Sequence, residues 1–308
     1  MHKLNVFIAF VSLMFLSLAS CNKDDEITVD PTPDGDTEAV AEFTVMEYMP
    51  APGQFINEKS SGFVNVNTMD EACEYAQKRL AKGDFVSLGA WGGYIVVRAL
   101  TPVENSSSYD FVVYGNAFDT SNEPGIVWVM HDTNGNGLPD DEWFELKGSH
   151  YNLEGYERNY SVTYFRPDPE NGDIKWEDSN GATGYVYRHI VHKQSSYYPA
   201  WIGKDSYTIY GSRLPLQVYT DPDTGIVSNE PFKWGYADNN GEDSLIADEN
   251  GRTVQKNFFR ISDAIDANGN PVELKTIDFI KVQTAINGST PIMGENSTEV
   301  CGFSHYKP

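Results

Sequence analysis

The chain of 308 residues carries 22 lysines and arginines against 45 aspartates and glutamates, a formal net charge of −23 at neutral pH. A surface that acidic repels phosphate backbones, so nucleic acid is excluded as a partner, while solubility and a weak attraction for divalent cations follow. The stretch from residue 42 onward is within the length that one all-β domain fills.

Lys3 precedes an apolar run from Val6 to Leu18 that is interrupted only by Ser12 and Ser17. This is the pattern of a secretory signal, too short and too weakly flanked for a membrane-spanning helix. The run ends in Leu18-Ala-Ser-Cys21, which resembles a bacterial lipobox and makes Cys21 the expected lipidated first residue of the mature chain. One acyl chain anchors marginally, at about 0.8 kcal/mol per buried CH₂, so durable attachment takes the two or three chains of a lipoprotein. Asp30 to Ala41 holds proline, glycine and acids with few apolar residues and reads as a tether. The expected organisation is a signal peptide over 1–20, an acidic flexible tether over 21–41 and a single ligand-binding domain over 42–308.

Within that domain, short runs of β-branched and aromatic residues dominate: 43–46, 94–97, 109–114, 125–131, 143–146, 160–165, 184–192, 206–210, 216–219 and 276–285. Each is bounded by Gly, Pro, Asn or Asp, the strand-and-turn grammar of an all-β, jelly-roll-like β-sandwich. Ile126-Val-Trp-Val-Met130 is apolar on both parities, as strands buried between layers are. One capping α-helix is expected. Thr68 and Glu71 form a capping box, Met69, Ala72, Cys73, Ala76 and Leu80 share a face, and Gly83 supplies the left-handed stop. A weaker helix or turn is expected over Ser262 to Asp266.

Residues 131–146 read HDTNGNGLPDDEWFEL. With Asp132 as position 1, Asn134 and Asn136 fall at positions 3 and 5, Gly137 at the sharp turn, Leu138 where a carbonyl is lent and Asp140 at position 9. This matches a calcium loop of the EF-hand type except at the last position, where Trp143 replaces the bidentate Glu and Glu142 or Asp141 would have to substitute. Two readings stay open, a structural Ca²⁺ and a bare hairpin tip. The turns at Asp238-Asn-Asn-Gly, Asp248-Glu-Asn-Gly and Asp266-Ala-Asn-Gly lack the series of oxygen ligands and read as hairpin tips.

No nucleophile elbow, phosphate loop, His-Glu-x-x-His or zinc-spaced cysteine pair is present, so no catalytic residues are expected. His189 and His192, read as part of a strand, fall on opposite faces. Gly89-Ala-Trp-Gly-Gly-Tyr94 lacks the strand-to-helix context of a nucleotide loop and reads as a place where a strand bulges or two backbones approach. Trp91, Tyr94, Tyr197, Tyr198 and Trp201 flank glycine, serine and proline in loops, where exposed rings would offer flat contacts to a sugar or a macrocycle; core packing is the alternative for each. Cys73 and Cys301, near the two ends of the domain, either form one bridge or remain buried thiols.

Read together, Tyr48-Met-Pro-Ala-Pro-Gly-Gln-Phe-Ile-Asn57, Ser87 to Tyr94, Asp110-Phe-Val-Val-Tyr-Gly-Asn-Ala-Phe118, Glu123-Pro-Gly-Ile-Val-Trp-Val-Met130 and Gly294-Glu-Asn-Ser-Thr-Glu-Val300 resemble a family of Bacteroidetes surface lipoproteins. Asn22-Lys-Asp-Asp-Glu26 looks like the acidic export signal of such proteins. The resemblance implies an extracellular β-sandwich, lipid-anchored to the outer membrane, and, through genes for vitamin B₁₂ receptors that often neighbour such proteins, capture of a corrinoid for an outer-membrane receptor. Looser relatives carry Glu where this chain has Gly115, so no role of that acid transfers. A glycan-binding or adhesive module is the alternative, and a polysaccharide hydrolase a further one.

Overall fold

A computed structural model describes residues 42–223, 227–249, 251–290 and 293–308. The expected signal peptide, the lipidated Cys21 and the tether lie outside the described residues. The fold is mostly β, with several antiparallel sheets and one α-helix, as expected. Among the described residues no helix is long and apolar enough to cross a membrane.

The first sheet has six strands in the spatial order Phe43–Met49, Tyr94–Glu104, Thr276–Thr284, Gly125–Met130, Phe144–Leu146 and Ala264–Ile265. Its register aligns apolar side chains in rows across the sheet. Val45, Val97, Ile280 and Val129 form one row, and Tyr48, Ile95, Val282 and Val127 the next. Alternation along each strand sends these to one face. There they meet Phe111, Val113 and Phe259 of a second sheet, ordered Ser244–Glu249, Arg252–Phe259, Phe111–Gly115 and Gly302–His305. Two sheets thus enclose one core.

The helix Met69–Leu80 closes one side of that core with Ala72, Tyr75 and Ala76. Its capping box is formed as expected, with the Glu71 amide donating to Thr68 Oγ1 and the Thr68 amide donating to Glu71 Oε2. Gly83 has φ +65° and donates its N–H to the Leu80 carbonyl, ending the helix. The weaker helix is a single 3₁₀ turn, Ile261–Asp263.

A third sheet, in the order Ser206–Arg213, Glu157–Phe165, Ile174–Asp178 and Thr183–Val186, adds a layer to the two-sheet sandwich. Tyr160, Val162, Tyr164, Ile174 and Ile209 form a second core with Trp91, Tyr197 and Tyr198. The expected strand over 184–192 stops at Val186. His189 and His192 consequently do not point to opposite faces; their rings are 5.4 Å apart, and His192 Nδ1 lies 2.6 Å from Glu58 Oε1.

No disulfide joins Cys73 and Cys301, and both are free thiols. Cys73 Sγ faces the Met46 carbonyl at 3.7 Å, while Cys301 is held by its amide on the Tyr114 carbonyl at 2.7 Å. Burial pushes the Cys301 thiol up to about 12, which leaves it unreactive at neutral pH. Reductant is therefore expected to leave the melting midpoint unchanged; a fall of several degrees in calorimetry with excess dithiothreitol would contradict free thiols.

Candidate metal centre

Four stretches distant in sequence, around Ala51, Ser87–Gly93, Thr284 and Ser297–Thr298, meet at one end of the sandwich, and backbone groups make most of the joints. The Ala51 amide donates to the Leu88 carbonyl (3.0 Å), the Leu88 amide to Thr298 (2.9 Å), the Gly92 amide to Thr284 (2.9 Å) and the Thr284 amide to Gly93 (2.9 Å). Ser87 and Ser297 hydroxyls stand 2.6 Å apart, and Gly89 N–H donates to Ser297 Oγ at 3.0 Å. Such close approach requires the glycines. A Cβ on Gly93 would stand 1.8 Å from the Leu88 carbonyl oxygen, and one on Gly89, at φ +71°, 2.1 Å from that of Ala51. The expectation that Gly89 to Gly93 lets backbones approach is met.

Behind these joints lie three acids, Glu123, Asp238 and Glu299, with one carboxylate oxygen of each within 4.8 Å of one from each of the others. Backbone amides fix two of them. Asp238 accepts from the Asn116 N–H (3.0 Å) and the Glu299 N–H (2.9 Å), and Glu123 Oε1 accepts from the Ser297 N–H at 3.1 Å. Asp238 is held at φ +51°, and the Glu123 amide bonds back to its carbonyl at 3.1 Å. Asp238 and Glu299 are buried; Glu123 is half-buried and Asn116 exposed, so the cluster lies one layer beneath the surface. Asn116 Nδ2 reaches Glu299 Oε2 at 3.4 Å, while the buried Glu299 Oε1 accepts from no amide, hydroxyl or ammonium among the described residues, and the Glu299 carboxyl hydrogen-bonds to that of Glu123, with which it shares a proton.

The electrostatics are those of a site short of positive charge. Burial raises all three acids, and Glu123 and Glu299 are raised further by the negative charges beside them. For Asp238 the burial effect outweighs the amide bonds of Glu299, Asn116 and Ala117. Neighbouring Glu295, whose Oε1 accepts from the Gln54 N–H at 2.8 Å, is pushed up to about 7 by burial. Carboxylates this close either keep a shared proton or hold a cation. An all-oxygen donor set suits a hard cation such as Ca²⁺, Mg²⁺ or Mn²⁺ over softer metals. Gly115 borders the cluster: a Cβ there would stand 2.8 Å from Asp238 Oδ1.

The loop proposed for Ca²⁺ from its spacing lies elsewhere and is closed by its own hydrogen bonds. Asp132 accepts from the Asn136 and Gly137 amides (3.1 and 2.8 Å), Asn134 Oδ1 from the Asn136 amide, and Asn136 Oδ1 from the Leu138 amide. The side-chain amides of Asn134 and Asn136 donate to Asp140, Thr133 binds Asp141, and Leu138 and Glu142 are exposed. The three gathered carboxylates are a different set of residues from this loop.

The rings expected as a contact platform are packed away. Trp91 and Tyr197 are fully buried and Tyr198 nearly so, because the third sheet covers the loops that carry them. Trp91 meets Tyr160 edge-on at 4.6 Å, Tyr197 OH accepts from the His189 amide, and Tyr198 OH donates to the Lys204 carbonyl. Half-buried Trp201 stacks on Phe63, and half-buried Tyr94 donates its hydroxyl to Glu47. The alternative reading, core packing, is the one the structure bears out for Trp91, Tyr197 and Tyr198.

No family model matches the chain, and no curated protein matches it. Sequence reasoning passed over Glu123, Asp238 and Glu299 because their spacing follows no motif. Two of them stood inside the quoted stretches beginning Glu123-Pro and Gly294-Glu, and Asp238 opened a turn read only as a hairpin tip.

Proposed function

We propose that this protein is a lipid-anchored, non-enzymatic binding module of the cell surface whose head is organised by one hard divalent cation on Glu123, Asp238 and Glu299. The observation that carries the cation is the convergence of three carboxylates, one oxygen of each within 4.8 Å of the others, with no Lys or Arg side chain of the described residues bonded to any of them. The lipobox-like Leu18 to Cys21 supports the anchor. Bound there, the cation would replace shared protons and tie together the segments at 116–123, 238 and 295–299, which lie next to the surface at Asn116 and Glu123. Capture of a small ligand by this head is part of the proposal. A corrinoid is the ligand to which the resemblance points, although Trp91, Tyr197 and Tyr198 are removed from its contact set by burial.

Calorimetric titration of CaCl₂, and separately MgCl₂, into chelator-treated protein at pH 7.5 is expected to show one saturable site. Glu299→Gln, which removes one ionised donor and keeps the shape, is expected to weaken the site by at least about tenfold, the equivalent of roughly 1.4 kcal/mol. No saturable heat with either ion in the unmodified protein would refute the centre. Cyanocobalamin titrated into the loaded and the chelated protein then tests capture, and binding lost on chelation is the outcome that joins the two functions.

A further inference from the structure

A second site lies apart from this centre. The strands Phe111–Gly115 and Arg252–Phe259 pair with Gly115 opposite Gln255 at the carboxylate end and Phe111 opposite Phe259 at the other. Four residues separate the two ends, about 13 Å at 3.3 Å per residue. At the Phe111 end opens a cleft of about 450 Å³. That is within the roughly 300–1,000 Å³ of small-ligand pockets.

Three kinds of group line it. Trp234 and Tyr109 are half-buried and give apolar ring surface, with the Arg260 guanidinium 4.3 Å above the Tyr109 ring. Asp243 and Asp263 supply acceptors, and Arg260 and Lys147 supply donors. Asp243 is only 8% exposed; its Oδ2 accepts from the Gly235 amide at 2.7 Å, but its Oδ1 has no partner in another residue. Leaving a buried carboxylate oxygen unsatisfied is costly, and ligand-binding positions are where folded proteins tolerate it.

The mixture of signs decides the ligand class. A cation entering here would face Arg260 and Lys147, and an anion would face Asp243, Asp263 and Glu242. A neutral molecule with both hydroxyl donors and oxygen acceptors would satisfy both sets, and its C–H face would pack on an aromatic ring. We infer that this cleft binds a short neutral saccharide, with Trp234 as the stacking surface and Asp243 as a hydroxyl acceptor, independently of the carboxylate centre. Trp234 and Tyr109 in the cleft, in contrast to Tyr197 and Tyr198, remain partly open to solvent.

The test is saturation-transfer NMR followed by calorimetry with neutral oligosaccharides of glucose, galactose, mannose and N-acetylglucosamine, each in CaCl₂ and in EDTA. Saturable binding of at least one probe is expected in both conditions. Affinity is expected to fall by at least about tenfold in Trp234→Ala, Asp243→Asn and Arg260→Ala, the size of one lost charge-assisted hydrogen bond or stacked ring. Arg260 is exposed, so Arg260→Ala keeps the fold should either of the other two variants unfold. Failure of every probe to bind, or affinities unchanged by Trp234→Ala and Arg260→Ala, would overturn the assignment. Binding lost in EDTA alone would overturn it too, placing the sugar at the carboxylate centre.

Discussion

Saturating Ca²⁺ is expected to raise the melting midpoint by roughly 5–10 °C at pH 8 and by almost nothing at pH 5. In the unfolded chain these acids ionise in the ordinary carboxylate range. In the folded chain, burial and then the charge of Asp238 hold the Glu123 proton up to about 8, and Asp238 and Glu299 shift in the same direction. The folded state therefore binds more protons, and the stability linked to them is complete below about pH 4 and lost as the pH rises through about 8. A cation substitutes for those protons at high pH and competes with them at low pH. At a hundredfold excess over its dissociation constant, a ligand adds about 2.7 kcal/mol, and each kcal/mol moves the midpoint of a domain this size by about 2–4 °C. Differential scanning calorimetry at pH 5, 6.5 and 8, with and without CaCl₂, measures this. Burial also raises Glu145 and Asp243, so a residual slope is expected in any variant. Glu299→Gln should flatten the metal-free slope and cut the Ca²⁺ response to about half or less at the same CaCl₂ concentration. A metal-free midpoint that climbs from pH 5 to pH 8 would be incompatible with a cluster that keeps its protons.

Trp91→Ala is expected to be among the most damaging substitutions, at about 3–5 kcal/mol, with a midpoint lower by roughly 6–20 °C. Its indole is completely enclosed between the glycine loop and the third sheet, and the Tyr164 hydroxyl donates to its carbonyl at 2.7 Å. The ring N–H has no partner among the described residues, so the expected loss is one of packing. Trp91→Phe, which restores part of the volume, should recover much of it. Thermal unfolding of both variants separates this from a surface role, in which neither change would move the midpoint by more than a degree or two.

Local pattern made the first sheet legible, because its short apolar runs are bounded by turn residues; Val96, Met130 and Phe279 are buried on the face opposite Val97, Val129 and Ile280, as a strand apolar on both parities requires. The helix was equally clear from its cap and its glycine stop. The hairpin of Ser244–Glu249 and Arg252–Phe259 was not, for a specific reason: Leu245 and Ile246 are exposed while Gln255 and Asn257 are buried, bonding to the Asn239 carbonyl at 3.2 and 2.6 Å. Polarity there runs against burial, and period-two reading fails. Trp91 and Tyr197 misled in the opposite sense, as loop rings whose cover comes from a sheet some seventy residues away from Trp91. The carboxylate centre depends on a meeting of Asp238 and Glu299, 61 residues apart in the chain, that no local window contains.

The chain enters the sandwich at Glu42, whose carboxylate accepts from the His305 amide (3.0 Å) and the Lys307 ammonium (3.0 Å). That corner pairs with the Phe111 end of the sheets, and the seven residues of Phe43–Met49 run from it toward the carboxylates, a span of about 23 Å. Tension applied upstream of Glu42 against a partner held at the carboxylate head would thus pull lengthwise along Phe43–Met49. Its hydrogen bonds to Tyr94–Glu104 would be loaded in shear, all together, and not peeled one by one, so that strand would be braced against such a pull.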